Sequence, residues 1–315
     1  MSDKPDFDSM IDHGGVLEVH GRDAEPFCQA QFMSDVGALD AGRWHWSGWL
    51  SARGRVEALF ALIRLEPARF WLWLPDRDPG DLAEALRRFV FRSRVELSPR
   101  DGVSALMAFP DRTQENDGGD EATIADGGIE LDLGAEGGDC RLRLSVAESA
   151  AGSGSTPDGE RHWRLHAIRH GLPRLTGDAG LGYTPHMLSL DRLAAFSVRK
   201  GCYPGQEIVS RTHFLGQAKR GLARVCCEAP LAPGEEVSAG AHTLGTILSA
   251  VASDVGTFEA LAVLPRELPP RLTCGDRPLR RLPLLGGLER PRGAGPAAGR
   301  PPAAAAADTR HGDDG

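Results

Sequence analysis

Along the first half of the chain, apolar residues recur mainly at the two-residue period of β-strands, interrupted by stretches with helical spacing. Alternating or continuous apolar segments predict strands at residues 15–20, 44–49, 55–65, 70–74, 103–109, 129–133 and 140–146. Helical spacing and helix-stop signals predict helices at residues 24–32, 79–94 and 161–170. This interleaving predicts a mixed α/β (α+β) fold.

The last third of the chain has a different pattern. Short β-like segments separated by proline and glycine occur at residues 221–227, 243–251 and 257–264, and this spacing predicts a small barrel or sandwich. From residue 286 onward, glycine, proline, alanine and arginine dominate. This composition lacks the apolar groups of a core and predicts a disordered tail over residues 286–315. Residues 1–13 are polar and are expected to be flexible.

The composition is that of a globular protein, with 315 residues, 41% of them hydrophobic, and a net charge of −8. This acidity argues against broad binding of nucleic acid through phosphate contacts, so any role with RNA is expected to be indirect or confined to a local basic patch. The six cysteines include no CxxC pair, which argues against a zinc ribbon or a ferredoxin-like cluster site. We recognise neither a signal peptide nor a membrane-spanning run, and expect a cytoplasmic protein with reduced thiols.

One segment concentrates residues that can carry chemistry: Lys200-Gly201-Cys202-Tyr203-Pro204-Gly205-Gln206-Glu207. The apolar residues 194–198 before it and the polar run 206–212 after it predict a strand, a tight turn and a helix. The turn would hold Cys202 beside a helix N-terminus, where the helix dipole and the Lys200 ammonium both favour a thiolate. Gly201 and Gly205 would allow backbone angles or close approaches that a Cβ forbids.

A buried structural side chain is the alternative for Cys202, because this is the commoner role of a lone cysteine in a soluble protein. The density of Lys, Gly, Pro, Gln and Glu around the sulfur favours a functional role. Gln206 and Glu207 place an amide and a carboxylate within one helical turn of it.

The eight residues resemble the signature of the YgfZ-type folate-binding proteins, a branch of the aminomethyltransferase (glycine-cleavage T-protein) superfamily. The similarity extends to Arg211, Gly216 and the basic pair Lys219-Arg220, with weaker support over about residues 14–268. The bacterial protein is linked to iron–sulfur cluster maintenance and tRNA modification, and mitochondrial relatives assist iron–sulfur cluster assembly. The resemblance implies a multi-domain ring around a central folate cavity, with a small C-terminal β-barrel.

The resemblance also implies a domain plan. We expect a folate-binding α/β region over residues 14–215 and a barrel over residues 216–285. Within the first region, residues 23–100 would form a subdomain inserted between residues 14–22 and 101–215.

The site residues follow from the same resemblance. Cys202 would carry the thiol chemistry, with Lys200 holding it as thiolate. In the relatives the first helix ends in a Gln-x-x-x-Asp-Val pattern, which Gln31, Asp35 and Val36 fit; for Asp35 a plain turn aspartate is the alternative. Contacts to a non-covalent tetrahydrofolate would come from Gln31, Asp35, Gly201, Tyr203, Gly205, Gln206, Glu207 and Arg211. No metal ligands are expected.

Two places depart from the family pattern. The helix at 161–170 ends in Arg169-His170-Gly171 where relatives commonly have Glu-Ala-Gly, so a carboxylate that could read the pterin ring is missing. T-protein-like relatives carry an aspartate pair after a glycine-containing hairpin, and this chain has Glu57-Ala58 there. Misplacing a proton acceptor by about an ångström can cost about 100-fold in rate.

Three further clusters have a structural and a functional interpretation. Trp44 and Trp46 share a strand face and could stack on a flat ring, although a core position is favoured. The histidines at 162, 166 and 170 could place two metal ligands on one helix face, but no acidic residue is interleaved and a surface position is favoured. The basic run Arg87, Arg88, Arg92 and Arg94 is expected to be a solvated face, with a partner-docking patch as the alternative.

These observations favour a folate-binding accessory protein for iron–sulfur cluster assembly or repair. It would act with cluster assembly proteins or client iron–sulfur enzymes, and so support tRNA-modifying enzymes indirectly. The alternative is a folate-dependent aminomethyltransferase or demethylating one-carbon enzyme, which the Glu57-Ala58 pair disfavours. A direct RNA-binding module is disfavoured by the acidic net charge and by a lack of interleaved aromatic and basic residues.

Overall fold

A computed structural model of the protein describes residues 9–11, 14–109, 118–125, 127–146, 157–175, 182–216 and 218–290. These residues form two five-stranded sheets, a closed six-stranded barrel and four α-helices. The mixed α/β class and the C-terminal barrel are therefore confirmed.

The first sheet has the strand order β3-β4-β5-β2-β6, with neighbouring strands antiparallel. Its strands are β2 (Gly15–His20), β3 (Arg43–Leu50), β4 (Val56–Glu66), β5 (Arg69–Leu74) and β6 (Glu96–Pro99). Helices α1 (Ala24–Gln31) and α2 (Pro79–Arg87) cover one face, where Phe27 and Leu82 pack in one core with Phe60 of the sheet. The helices thereby leave the opposite face for the second sheet.

The second sheet has the order β1-β7-β10-β9-β8. Its strands are β1 (Ser9–Ile11), β7 (Val103–Ala108), β8 (Ala122–Ala125), β9 (Gly128–Asp132) and β10 (Arg141–Val146). Trp44, Trp46 and Trp73 lie in the core that the two sheets share, and the first two rings meet edge to face at 5.5 Å. The preference for a core position of the tryptophan pair is confirmed, since Trp44 and Trp46 are fully buried.

The subdomain boundary differs from the prediction. β1 pairs with β7 of the second sheet, whereas β2 pairs with β5 and β6 of the first. The insertion therefore begins before residue 14, and residues 14–22 belong to the inserted subdomain. The same pairing corrects the expectation for residues 1–13, because residues 9–11 form a strand.

The barrel closes in the order β11-β14-β13-β12-β15-β16. Its strands are β11 (Arg220–Cys227), β12 (Glu236–Ala239), β13 (His242–Ala252), β14 (Phe258–Pro265), β15 (Leu272–Cys274) and β16 (Arg277–Leu282). Val225, Ile247 and Ala262 lie in its buried core. Closure leaves no free sheet edge, which suits a small domain.

Two helices connect these layers. Helix α3 (Pro157–His170) contacts β1 as well as β13 and β14 of the barrel, and ends at Gly171, whose φ of +69° fits the predicted stop. Helix α4 (Gln206–Leu215) follows the signature segment, as predicted. Residues 194–198 do not form the predicted strand; a short 3-10 turn at Leu190–Leu193 ends in Ala194 with a φ of 52°.

Two further predictions need correction. Helix α2 ends at Arg87 rather than at residue 94. The backbone N–H groups of Phe89 and Val90 bond carbonyls three residues back instead of four, and Arg92 has a φ of 63°. The first residues of the predicted tail are packed: Leu288 and Arg290 are buried. Residues 291–315, like 110–117, 147–156 and 176–181, lie outside the described residues. Over the part of the chain that is described, no helix is both long enough and apolar enough to span a membrane.

Candidate functional site

A buried lysine fixes the start of the signature loop, residues 200–207. Nζ of Lys200 donates hydrogen bonds to the backbone carbonyls of Gln29 at 2.5 Å, Phe32 at 2.6 Å and Ser34 at 2.8 Å. These carbonyls lie at and just beyond the C-terminal end of α1, where a cation is favoured. Three bonds match the three donors of an ammonium group. Lys200 therefore anchors the loop, and its role as the activator of Cys202 stays a prediction.

Side chains within the loop brace it further. The Tyr203 hydroxyl donates to the carbonyl of Ser197 at 3.1 Å, and its buried ring lies 5.1 Å from Nζ of Lys200. Nε2 of Gln206 donates to the carbonyl of Lys200 at 3.2 Å. The backbone around Cys202 is thus held from both sides, and Gln206 helps to orient the loop.

Gly205 permits a close approach between the loop and the β3–β4 hairpin. It adopts a φ of +75° as the N-cap of α4, and a Cβ there would lie 2.6 Å from Cα of Gly54 and from the carbonyl oxygen of Ser51. Gly54 has a φ of +69°, and its own Cβ would meet Ile208 at 2.8 Å. Two glycines in the left-handed region therefore let two backbones touch.

Cys202 is the exposed cysteine of the chain, whereas the other five are buried. Burial raises the pKa of the thiols of Cys28, Cys140, Cys226 and Cys274. Because thiolates are the reactive form, these four sulfurs are poor nucleophiles. The structure therefore presents Cys202 as the accessible thiol, on a backbone that is fixed on either side of it.

The remaining signature positions lie towards solvent. A Cβ at Gly201 would meet nothing within 4 Å, so this position does not need glycine for space. Glu207 and Arg211 form an exposed ion pair of 2.9 Å along α4. They occupy one outer face of the helix.

The predicted pair at the end of α1 has a different partner arrangement. Oδ1 of Asp35 accepts a hydrogen bond from Nε2 of Gln29 at 3.0 Å, and Oε1 of Gln29 accepts from the backbone N–H groups of Val36 and Gly37. Asp35 thus helps to shape the turn that receives Lys200. Gln31 is half-buried, and within the described residues its buried Oε1 has no hydrogen-bond donor.

A cavity of about 530 Å³ lies where the first sheet, α3 and the barrel meet. Its wall includes Asp76 and Arg77 after β5, Arg164 and Ile168 of α3, and Leu248 of β13. The carboxylate of Asp76 is buried, and its Oδ1 lies 2.6 Å from Nε of Arg174. Arg174 also lines the cavity. Desolvation raises the pKa of Asp76, and Arg174 opposes this shift. None of the residues predicted to contact a ligand lies in this wall.

Arg169, which stands where relatives commonly have glutamate, is held by the barrel. Its guanidinium donates to Oε1 of Glu259 at 3.0 Å, while Arg224 donates to Oε2 of Glu259 at 2.7 Å. Glu259 is buried between them. The carboxylate missing from α3 is thus supplied to this interface by β14, but it neutralises two arginines.

The histidines of α3 are not exposed, contrary to the favoured interpretation, because His162 and His166 are half-buried and His170 is buried. The rings of His166 and His170 lie 4.2 Å apart, and the N–H of a neutral His170 can donate either from Nδ1 to the carbonyl of His166 at 2.9 Å or from Nε2 to that of Glu136 at 2.8 Å. Among the described residues, no group of three or more potential ligands could hold a metal ion. These rings therefore form part of the packing between α3 and its neighbours.

Sequence reasoning missed three residues that build the site. Gln29 shapes the turn at the end of α1, Gly54 receives Gly205, and Asp76 lines the cavity. The hairpin glycine could have been singled out, because Ser51-Ala52-Arg53-Gly54 reads as a turn. Asp76 carries no local signal, since its partner Arg174 lies 98 positions away. Gln29 acts on a turn only six to eight residues further along the chain, but no recognised motif marks it.

A solved structure shares the fold of this chain. The fold resembles the glycine cleavage system aminomethyltransferase T from Bartonella henselae, with a TM-score of 0.68 at 16% identity over 89% of this chain and 86% of the other. No family model matches the chain. The architecture is therefore that of a T-protein-like protein.

The sequence relatives of the chain include two kinds of protein. The chain is 26% identical over 279 residues to the tRNA-modifying protein YgfZ of Vibrio vulnificus strain CMCP6, covering 83% of this chain and 85% of the relative. It is 29% identical over 229 residues to the mitochondrial iron–sulfur cluster assembly factor IBA57 homolog of Mycosarcoma maydis, covering 67% and 55%. The chain is thus similar in sequence to YgfZ and IBA57 proteins and similar in fold to the T-protein, in keeping with the resemblance of its signature.

Proposed function

We propose that the chain is a folate-binding accessory protein for the assembly or repair of iron–sulfur clusters, which thereby supports cluster-dependent enzymes such as those that modify tRNA. The observation that carries the proposal is an exposed Cys202 on a loop anchored by Lys200 and Gly205. The names of the sequence relatives point to the same pathway.

The cavity supports the folate part of the proposal. Its volume of about 530 Å³ lies within the range of small-molecule sites, and its wall combines apolar groups with convergent charges. Arg77 and Arg164 would pair with the carboxylates of the ligand's glutamate moiety. Asp76 would accept hydrogen bonds from the aminopyrimidine edge of the pterin, since a carboxylate retains acceptor capacity beyond its bonds to Arg174 and Leu175.

Cys202 would act separately from this ligand, on a partner protein. A single thiol cannot hold a cluster alone, so Cys202 would supply one ligand or one transient bond while the partner supplies the rest. Lys200, Tyr203 and Gln206 would set the position of the sulfur through the loop backbone. Gln31, Asp35, Glu207 and Arg211 would shape or flank this surface rather than the cavity.

The one-carbon-transfer alternative has less support at its expected centre. Ala58 is buried and offers no acid–base group. The backbone carbonyl of Glu57 accepts a hydrogen bond from Arg77. Release of formaldehyde or methylene-tetrahydrofolate from an aminomethyl donor would favour this alternative.

Calorimetric titration of tetrahydrofolate into the reduced protein tests the ligand. We expect binding by the wild type and by Cys202→Ala, and a loss of about tenfold or more in affinity for Arg77→Gln, because a hydrogen bond to a charged group is removed. Arg53→Gln, on the exposed hairpin turn, is the matched control and should bind normally. If the wild type does not bind, the folate assignment is wrong, and the thiol function must be judged by the next experiment alone.

Complementation tests the thiol. In cells that lack the native gene, Cys202→Ser should fail to restore the activity of cluster-dependent enzymes, whereas Cys226→Ser, at a buried position, should restore it. Full restoration by Cys202→Ser would remove Cys202 from the mechanism. Thiol alkylation of the folded protein provides the physical check, with Cys202 expected to react first.

A further inference from the structure

An exposed loop after α2 combines four arginines with two phenylalanines. We call residues 87–94, with the sequence Arg-Arg-Phe-Val-Phe-Arg-Ser-Arg, the Arg–Phe loop. Phe91 is 76% exposed and Phe89 is 42% exposed, and all four arginines are exposed. Single exposed apolar residues are common, but two exposed rings between four cations form a defined surface.

Packing against the core fixes the position of this loop. Val90 and Val95 pack against the core under the first sheet, and Phe89 meets Trp49 edge to face at 6.0 Å. Arg92 has a φ of 63°, and its guanidinium lies 5.1 Å from the centroid of the Phe91 ring. Phe91 and Arg92 therefore project outward as a stacked aromatic and cationic pair on a packed base.

The charge of the loop contrasts with that of the whole chain. The net charge of the protein is −8, yet the loop contains four positive charges and no acid. Within the described residues none of these four guanidinium groups forms an ion pair; the acids nearest in sequence are Glu84 and Glu96, and Asp23 accepts the backbone N–H of Arg94. A groove of about 480 Å³ beside the loop is lined by Arg87, Val90 and Leu97, and also by Glu96.

We propose that the Arg–Phe loop binds single-stranded nucleic acid. Guanidinium groups would pair with successive phosphates, and an unstacked base would stack on Phe91, because aromatic and basic side chains together are what sequence-tolerant single-strand sites use. This surface supplies a local basic patch on an acidic chain. It also contains the aromatic–basic interleaving whose absence argued against RNA binding in the sequence analysis.

The stacking feature favours this partner over an anionic membrane. A lipid surface would take any apolar side chain at position 91, whereas a base needs a flat ring. The two partners therefore predict different responses to Phe91→Leu and Phe91→Trp, and only a base distinguishes these two variants strongly. The proposal does not depend on folate binding or on Cys202.

Fluorescence anisotropy with the full-length protein and a labelled RNA of about ten nucleotides, in salt from about 50 to about 200 mM, tests the proposal. We expect Phe91→Ala and Phe91→Leu to weaken binding by about 5- to 100-fold and Phe91→Trp to retain it. Arg88→Glu with Arg92→Glu should abolish binding. A single Arg88→Gln should reduce the slope of log affinity against log salt by about 0.7. The DNA oligonucleotide of the same sequence shows whether the sugar matters.

The control is a charge reversal of the same size elsewhere, Arg271→Glu with Arg281→Glu on the exposed surface of the barrel, which should leave binding unchanged. No binding by the wild type at about 50 mM salt would overturn the proposal. Equal affinity for a duplex of the same length would overturn it too, because paired bases cannot stack on Phe91. Binding to phosphatidylserine vesicles that Phe91→Leu preserves would identify the loop as a membrane-contact site instead.

Discussion

At the residue scale, two glycines of the signature loop provide a matched pair. Gly205→Ala would place a Cβ 2.6 Å from backbone atoms of Gly54 and Ser51 at a φ of +75°, whereas Gly201→Ala would add a Cβ in open space. We expect Gly205→Ala to lower the free energy of unfolding by about 2–4 kcal/mol, through strain and displacement of the hairpin. Gly201→Ala should change it by no more than about 0.5 kcal/mol. Urea denaturation measures both, and equal effects would contradict the role given to Gly205.

Lys200 gives a second prediction at the same scale. Lys200→Met keeps much of the side-chain volume but removes the donors to the carbonyls of Gln29, Phe32 and Ser34. Because these buried acceptors lose a charged donor, the free energy of unfolding should fall by about 2–4 kcal/mol. Lys219→Met, at an exposed position, should have no measurable effect. If Lys200 were mainly an activator of Cys202, Lys200→Met would slow alkylation of Cys202 and leave the urea midpoint unchanged.

At the element scale, helix α3 contains a desolvated histidine, His166, that should make the protein sensitive to acid. His166 stacks on Trp163, and the charged or titratable groups around it are His170, Arg290 and Arg169. Desolvation by burial is the largest cause that holds the pKa of His166 well below its usual value of about 6.5. The charged neighbours are the next cause. The imidazole is therefore neutral in the folded protein and takes up a proton on unfolding. The loss begins as the pH approaches 6.5, because from there downward the unfolded chain binds a proton that the folded protein excludes.

The free energy of unfolding should accordingly decrease between about pH 7 and pH 5, by up to about 1.4 kcal/mol per pH unit for each such proton. Burial also lowers the folded-state pKa of His170, and its hydrogen bonds to the carbonyls of His166 and Glu136 oppose that shift, so His170 adds a smaller part to the effect. His166→Phe keeps an aromatic ring beside Trp163 and should reduce the slope, whereas His242→Phe, at an exposed position, should not. Urea titrations at several pH values measure this, and an unchanged slope for His166→Phe would assign the acid sensitivity to other groups.

The elements also show what local sequence can and cannot predict. The signature loop was recognisable because its cysteine, glycines and proline are adjacent in the chain. Helix α2 was predicted seven residues too long, because arginines between apolar residues continue a helical pattern that Phe89 and Val90 do not follow in the structure. The partners of the loop could not be predicted, since Gln29 lies 171 positions from Lys200.

At the scale of the whole molecule, the segment after the barrel packs against the two N-terminal sheets. The carbonyl of Leu288 accepts a hydrogen bond from Nε1 of Trp46 at 3.0 Å, so the segment after β16 contacts the first sheet. Arg290 donates to the carbonyl of Asp132, the last residue of β9, at 2.6 Å and to that of Gly134 at 3.1 Å. Composition alone assigned these residues to a disordered tail. Their burial depends on acceptors more than 150 positions away, which composition cannot reveal.

Arg290 is therefore expected to stabilise the whole molecule. Its guanidinium is buried, donates four hydrogen bonds to carbonyls and lies 5.1 Å from the centroid of the Trp44 ring. Arg290→Leu would leave the carbonyls of Asp132 and Gly134 without these donors, so the free energy of unfolding should fall by about 2–4 kcal/mol. Arg280→Leu, on the exposed face of β16, is the matched control and should leave the urea midpoint almost unchanged. Limited proteolysis adds a second readout: cleavage between β9 and β10 should be faster in Arg290→Leu, because the guanidinium then no longer holds Asp132 and Gly134. If the free energy of unfolding falls by less than about 0.5 kcal/mol, the contacts of residues 286–290 contribute little to the stability of the core.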